Sequence, residues 1–202
     1  EQLSRSQHNL ALISTQPKRR FSALFYRNET IARAPLSMSK NISARDIMPE
    51  GPSIVILREE AEHFVGHTIE RVQGNSKIDQ SRLHGQPVIA LRTWGKHFLI
   101  ELPRLTVRIH LLLFGSYRID ERREMQPRLS LGFDNGELNF YACSVQIIDG
   151  PLDEYYDWSA DVMSDRWDAT QALKKLQAIP TALICDALLD QTIFAGAGNI
   201  FK

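Results

Sequence analysis

Six short apolar runs between residues 67 and 149 constrain the fold of this chain more than any other feature. Thr68–Gln73, Val88–Trp94, His97–Leu102, Thr106–Arg118, Arg128–Phe133 and Glu137–Ile148 are rich in Val, Ile, Leu, Phe and Tyr. Such residues fill pleated, half-buried surfaces, so each run reads as a strand. Asp134-Asn135-Gly136 lies between two of them and signals a hairpin, because two-residue turns require positive φ. Gly95 marks a second tight turn and places Lys96 at its end. Six strands this closely spaced predict an antiparallel sandwich or barrel. Ahead of them, Ile54, Leu57, Ala61 and Phe64 recur at spacings of three and four, with Glu59, Glu60 and Glu62 between. That periodicity predicts a helix from Pro52 to Val65. Pro52 suits its first turn and Gly66 its stop.

The flanks differ from this middle. After Gly150-Pro151, the acidic and aromatic stretch Asp153–Asp165 reads as a linker, and Trp167–Gln177 and Thr181–Leu189 read as helices. Then comes Phe194-Ala195-Gly196-Ala197-Gly198-Asn199, a turn that leads into another element, with Ile200, Phe201 and Lys202 after it. The expectation is a chain cut in mid-motif. Residues 1–47 hold seven serines and no sustained apolar period. They read as a basic tail: disordered by composition, an Arg-rich targeting segment, or a mis-assigned start, the reading favoured here. The expected class is α+β. An N-terminal helix plus antiparallel β-sandwich spans 48–150, and a partial helical domain spans 151–202.

Composition narrows function by exclusion. At 43% hydrophobic and 24% charged residues, the chain has ordinary globular usage. Its apolar stretches are short, such as Ile109 to Gly115 with its His110, far below the ~20 residues of a membrane span. Cys143 and Cys185 are too few for a disulfide framework or a four-cysteine metal site, and both are expected to be buried, inert thiols, Cys143 in a strand and Cys185 in a helix. The net charge is zero, so bulk electrostatics gives no hint of nucleic acid. Residues 1–48 carry eight Lys/Arg against three acids, which leaves the remainder mildly acidic. The six histidines show no metal-ligand spacing.

Three segments carry more specific chemistry: Met48-Pro49-Glu50-Gly51-Pro52, Gly95-Lys96-His97, and Leu189-Asp190-Gln191 through Gly196-Ala197-Gly198-Asn199-Ile200. In this order, around a run of strands, they resemble the formamidopyrimidine-DNA glycosylase / endonuclease VIII family of base-excision repair enzymes, closer to the endonuclease VIII branch. The resemblance covers about residues 48–202. It implies that the helical part is a helix–two-turns–helix DNA-binding domain, here truncated. The implied activity is a DNA glycosylase with abasic-site lyase action on oxidised bases, and the implied partner is damaged double-stranded DNA. A monomer with no membrane association, cytoplasmic and at the nucleoid, goes with that reading; the basic tail leaves organellar targeting as an alternative.

The chemistry of the opening stands apart from the name. A proline at a free N-terminus is a secondary amine whose pKa, roughly 8, lies far below that of lysine. Its neutral fraction can attack a sugar C1′ and form an iminium. The resemblance implies this role for Pro49, with Glu50 as the acid/base that helps open the deoxyribose. The competing reading is structural: Pro49 and Pro52 start a helix whose dipole favours Glu50. Inside the chain as written, the Pro49 nitrogen is an amide and cannot be a nucleophile. Lys96 is implied to contact phosphate near the lesion; as a bare pattern it is a solvated turn lysine. His110-Leu111-Leu112-Leu113-Phe114-Gly115 resembles the segment that fills the gap left by a flipped nucleotide. Leu112, Leu113 and Phe114 would be the wedge, against the alternative that a Leu-rich run is core. Gly198 and Asn199, at a predicted helix start, suit a phosphate.

Three departures from the family pattern matter. Leu112 stands where the endonuclease VIII branch often has glutamine. Ser53 stands where the family has a second glutamate. Full-length relatives carry a structural zinc in a C-terminal four-cysteine hairpin, and this chain has neither that hairpin nor an implied cofactor or metal. Two other functions stay open: a catalytically inactive DNA-binding relative, and a β-sandwich interaction domain with chance motif matches.

Overall fold

The eight strands of the computed structural model, which describes residues 49–199, divide between two four-stranded antiparallel sheets. They are β1 (Arg71–Gln73), β2 (Ala90–Trp94), β3 (His97–Leu102), β4 (Leu105–His110), β5 (Ser116–Ile119), β6 (Leu129–Phe133), β7 (Gly136–Tyr141) and β8 (Ser144–Ile148). One sheet has the order β1-β6-β7-β5 and the other β2-β3-β4-β8. The expected antiparallel sandwich is present. The tail at 1–47 and the helix expected after Asn199 lie outside the described residues.

Two of the six expected strands are in fact two strands each. The run 106–118 breaks at Leu111–Gly115 into β4 and β5, which belong to different sheets. Leu112 there takes φ 57°, and a methyl on Gly115 would overlap the Leu111 carbonyl oxygen, so the chain folds tightly back on itself. The run 137–148 breaks at Ala142 (φ 50°) into β7 and β8, again crossing between sheets. Apolar sequence runs through both breaks, so the residue pattern does not mark where the chain changes sheet. Cys143 therefore sits between strands rather than in one, and Cys185 is half-buried rather than buried. Burial pushes the Cys143 thiol up to about 12, which keeps it inert.

The Asp134-Asn135 hairpin forms as expected, pairing Phe133 with Gly136. Its positive φ falls on Gly136 alone. The Gly95-Lys96 turn joins β2 to β3, with Gly95 at φ 54°.

The predicted helix is α1 (Gly51–Ala61), continued by a 3₁₀ turn over Glu62–Phe64 and stopped at Gly66, φ 87°. Ile54, Leu57 and Ala61 lie on its buried face, against β2 and β3. Tyr117 of β5 donates to Glu60 at 2.8 Å. Between the sheets, Phe64 stacks on Phe133 with ring centroids 4.5 Å apart, and Phe98 meets Phe140 at 5.9 Å. Aromatic pairs like these add ~0.5–1.5 kcal/mol each beyond the area they bury.

The stretch Asp153–Asp165 is no solvated linker. Tyr156 and Trp158 are buried with Leu99 and Ile148 on the outer face of the β2-β3-β4-β8 sheet. With both faces of that sheet covered, β3 reads as a continuous apolar run rather than an alternating one. The acidic residues here serve local bonds. Asp153 accepts the Trp158 indole N–H at 2.6 Å, and Asp157 accepts Ser159 N–H at 3.0 Å. Two helices follow, α2 (Ala169–Gln177), capped by Asp168, and α3 (Ile184–Leu189). No described helix is long and apolar enough to cross a membrane.

Candidate active site

Pro49 and Glu50 lie immediately before α1, and both are buried. Glu50 is the N-cap. Its backbone is held twice by one hydroxyl: Glu50 N–H donates to Ser53 Oγ at 3.0 Å, and Ser53 Oγ–H donates to the Glu50 carbonyl at 2.8 Å. The residue that departs from the family's second glutamate thus acts as a capping partner, the serine counterpart of the reciprocal bonds seen at helix starts.

Three glycines bring distant segments onto this corner. Gly51 N–H donates to the Gly196 carbonyl at 2.9 Å. A methyl on Gly51 would stand 3.2 Å from Gly196 Cα, and one on Gly95 would stand 2.9 Å from Gly196 N. Gly196 itself is at φ 98°. Backbones can approach this closely only without a Cβ. The result is that the start of α1, the β2–β3 turn and the 194–199 turn meet at one place.

Gly198 shows where their functional groups point. A methyl there would overlap Glu50 Oε1 and stand 2.5 Å from Lys96 Nζ. The carboxylate, the ammonium and the glycine-lined turn therefore face one another. Glu50, Lys96 and Gly198 are brought together, with Pro49 buried immediately before Glu50 in the chain. Asn199, the next residue, is exposed.

Lys96 is followed by two unusual histidines. His97 and His110 are paired in register on β3 and β4, with rings 5.2 Å apart edge to face. Tyr156 Oη lies 3.2 Å from His97 Nδ1. Burial, aided by the nearby Arg108 and His110, holds His97 down at about 4. Burial also lowers His110, with Lys96 and Arg108 contributing. Both rings are uncharged near neutral pH, so they flank Lys96 without adding positive charge.

Because His97 and His110 pair, the Lys96 turn and the Leu111–Gly115 turn emerge at the same end of one sheet. The second turn is not core. Leu111 and Gly115 are buried at its two ends, while Leu112 is 50%, Leu113 53% and Phe114 83% exposed. Three adjacent apolar side chains standing in water beside a charged corner are the arrangement a wedge requires.

Sequence reading left two participants without a role. Gln191 braces the glycine turn: its Nε2 donates to the carbonyls of Leu189 and Ala197, both at 2.9 Å, and its Oε1 accepts Gly196 N–H at 3.0 Å. It lay within a quoted motif, but nothing in its type announced a brace. Asp161 is 1% exposed and accepts N–H groups from Met163 and Gly95. No sequence signal marked it, since acids are common in that stretch. Among the described residues, no group of three or more His, Cys, Asp or Glu side chains could hold a metal ion.

The fold is that of solved DNA glycosylases. The structure of *Lactococcus lactis* formamidopyrimidine-DNA glycosylase bound non-covalently to DNA containing an abasic site superposes with a TM-score of 0.65 at 23% identity, covering 75% of this chain and 66% of the other. Residues 48–143 match the family model of the formamidopyrimidine-DNA glycosylase N-terminal domain. Over these residues the chain is similar to the formamidopyrimidine-DNA glycosylase / endonuclease VIII family. Endonuclease 8 2 of *Mycobacterium bovis* is 28% identical over 172 residues, 76% of this chain and 65% of the relative. The DNA-(apurinic or apyrimidinic site) lyase Nei2 of *Mycolicibacterium smegmatis* is 27% identical over 168 residues, 76% of this chain and 64% of the relative. The chain thus spans just under two thirds of the length of these curated relatives.

Proposed function

We propose that this chain is the catalytic part of a base-excision DNA glycosylase with abasic-site lyase activity, acting on oxidised bases in duplex DNA. The observation that carries the reading is the convergence of Glu50, Lys96 and Gly198 on one corner, with Pro49 buried immediately before Glu50, beside three exposed apolar residues. Its partner is damaged double-stranded DNA, met by a monomer in the cytoplasm.

Each group has a task that its surroundings suit. A target base must leave the stack to be reached, at a cost of a few kcal/mol. Leu112, Leu113 and Phe114 offset part of that by filling the gap. The Pro49 amine attacks C1′ of the extruded nucleotide; the glycosidic bond breaks, and the base departs with a proton. The ring C1′–O4′ bond opens with Glu50 protonating the oxygen, which leaves an iminium on the proline nitrogen. Loss of a C2′ proton then expels the 3′ phosphate. Lys96 and the Gly198–Asn199 turn hold the phosphates flanking the sugar. Water then hydrolyses the iminium and returns the free amine.

The chemistry demands a free secondary amine, and here Met48 acylates Pro49. Activity therefore requires a form that begins at Pro49. Borohydride trapping on an abasic-site duplex tests this directly. The expected result is a covalent adduct, mapped to Pro49, in a form beginning at that residue and none in the longer chain. Binding without an adduct in both forms would make the chain a passive DNA-binding relative, the reading favoured by the amide at Pro49. Binding that is absent, or insensitive to salt, would leave an interaction domain, because phosphate contacts weaken steeply as salt rises.

A further inference from the structure

Asp161 lies outside every motif named so far, yet it touches two of the three segments that make the corner. Its carboxylate accepts the N–H of Met163 at 3.0 Å and the N–H of Gly95, the residue that precedes Lys96 in the β2–β3 turn. Its backbone pairs in parallel with Ala195. Ala195 N–H donates to the Ala160 carbonyl at 2.8 Å, and Val162 N–H donates to the Ala195 carbonyl at 3.3 Å. Ala195 in turn packs on Gly95, where a methyl would stand 3.2 Å from the Ala195 Cβ. One residue thus grips the lysine turn with its side chain and the glycine turn with its main chain.

We propose that Asp161 is a positioning residue that fixes the Gly95-Lys96 turn against the Ala195–Gly198 turn, so that the Lys96 ammonium is held at Glu50. This rests on the reading above that Lys96 acts at the reacting nucleotide. Two observations bear on it. Gly95 is at φ 54°, the left-handed conformation of a primed hairpin turn, and a Cβ on it would stand 2.9 Å from Gly196 N and 3.2 Å from Ala195 Cβ, so the two turns are in close contact. The acceptor is a fully buried carboxylate, costly to desolvate and held above the usual carboxylate range by that burial. A neutral side chain could join two segments more cheaply; an anion gives the stronger bond to a backbone N–H that must not wander.

The test is a double-mutant cycle on single-turnover cleavage of an abasic-site duplex, with affinity for a non-cleavable tetrahydrofuran duplex measured alongside. Asp161→Ala is expected to slow the chemical step about 10- to 100-fold, as misplacement of a catalytic group by ~1 Å does, while affinity changes less than about 3-fold. Asp161→Asn keeps one acceptor oxygen and is expected to lose less, though still to be slower than the parent; should Asp161→Ala fail to fold, it carries the cycle. Combining either change with Lys96→Gln is expected to be no slower than Lys96→Gln alone, because both act through one group. Losses that multiply, or rates within 2-fold of the parent, would overturn the proposal. Amide exchange at Gly95 gives a readout free of chemistry: faster exchange in the variants supports the grip, and unchanged protection overturns it. If the parent itself never cleaves or traps DNA, the activity reading fails, and Gly95 exchange alone decides whether Asp161 holds the turn.

Discussion

Two turns leave the same end of the β2-β3-β4-β8 sheet and are built on opposite principles. The Gly95-Lys96 turn is gripped through its backbone, with Asp161 on its N–H and Ala195 and Gly196 pressed against its glycine. The Leu111–Gly115 turn is anchored at its two buried ends, Leu111 and Gly115, and presents bare hydrocarbon to water between them. A group that must meet a reacting atom within a fraction of an ångström needs its main chain fixed. A group that must slide into a base stack needs apolar surface that the protein itself does not use. The cost of the first is close-packed glycine; the cost of the second is exposed apolar area.

The largest expected effect tests the close-packed side. Gly198→Ala would drive a methyl into Glu50 Oε1 and Lys96 Nζ. It should lower the single-turnover rate on abasic DNA by about 100-fold or more, the usual penalty for displaced catalytic groups. A variant that cleaves at the parental rate would mean that the corner is not the reacting centre.

Next comes the contrast inside the second turn. Leu111→Ala should cost ~2–5 kcal/mol in denaturant unfolding, as buried leucine truncations do. Phe114→Ala should change stability by less than ~0.5 kcal/mol, yet weaken binding to damaged duplex. Equal destabilisation by both would place Phe114 in the core and remove the wedge.

A third check uses the histidine behind Lys96. His97 is held at about 4 in the folded protein against 6.5 for a free histidine. Between those values the unfolded chain binds the extra proton. The stability it contributes is therefore complete above pH 6.5 and is lost as pH falls through about 4. The loss attributable to this group is about 3 kcal/mol. Denaturant melts from pH 7 to 4 should show it, with a shallower dependence in His97→Gln. An unchanged slope would mean that the histidine is not buried as drawn.

The smallest effect is at Ser53. Ser53→Ala removes both bonds to the Glu50 backbone and should cost ~1 kcal/mol, the typical value of a lost cap. A drop in cleavage well beyond that cost would show that the hydroxyl also orients Glu50 for chemistry.

Local pattern carried much of this molecule. Three-and-four spacing marked α1 and turn residues marked both hairpins, while Pro49, Glu50, Lys96, Gly198 and Asn199 were singled out by resemblance to a family. These signals are legible because helix period, positive φ and glycine turns are properties of a few neighbouring residues. The strand breaks at Leu112 and Ala142 were not legible, since apolar residues run straight through both while the chain crosses between sheets. The acidic and aromatic stretch Asp153–Asp165 read as a linker, although Tyr156 and Trp158 cover a sheet face.

The amino-acid order alone determined α1, the two hairpins and the strand-rich middle, for helix period and turn chemistry are short-range, and the candidate side chains followed from resemblance to a family. Where those side chains meet depended on the folded chain: Asp161 reaching Gly95, Gln191 bracing Gly196, and Phe114 standing in water rather than in the core. Such contacts join residues far apart along the polypeptide, and burial, which decides between a wedge and a core leucine, exists only once the layers have packed.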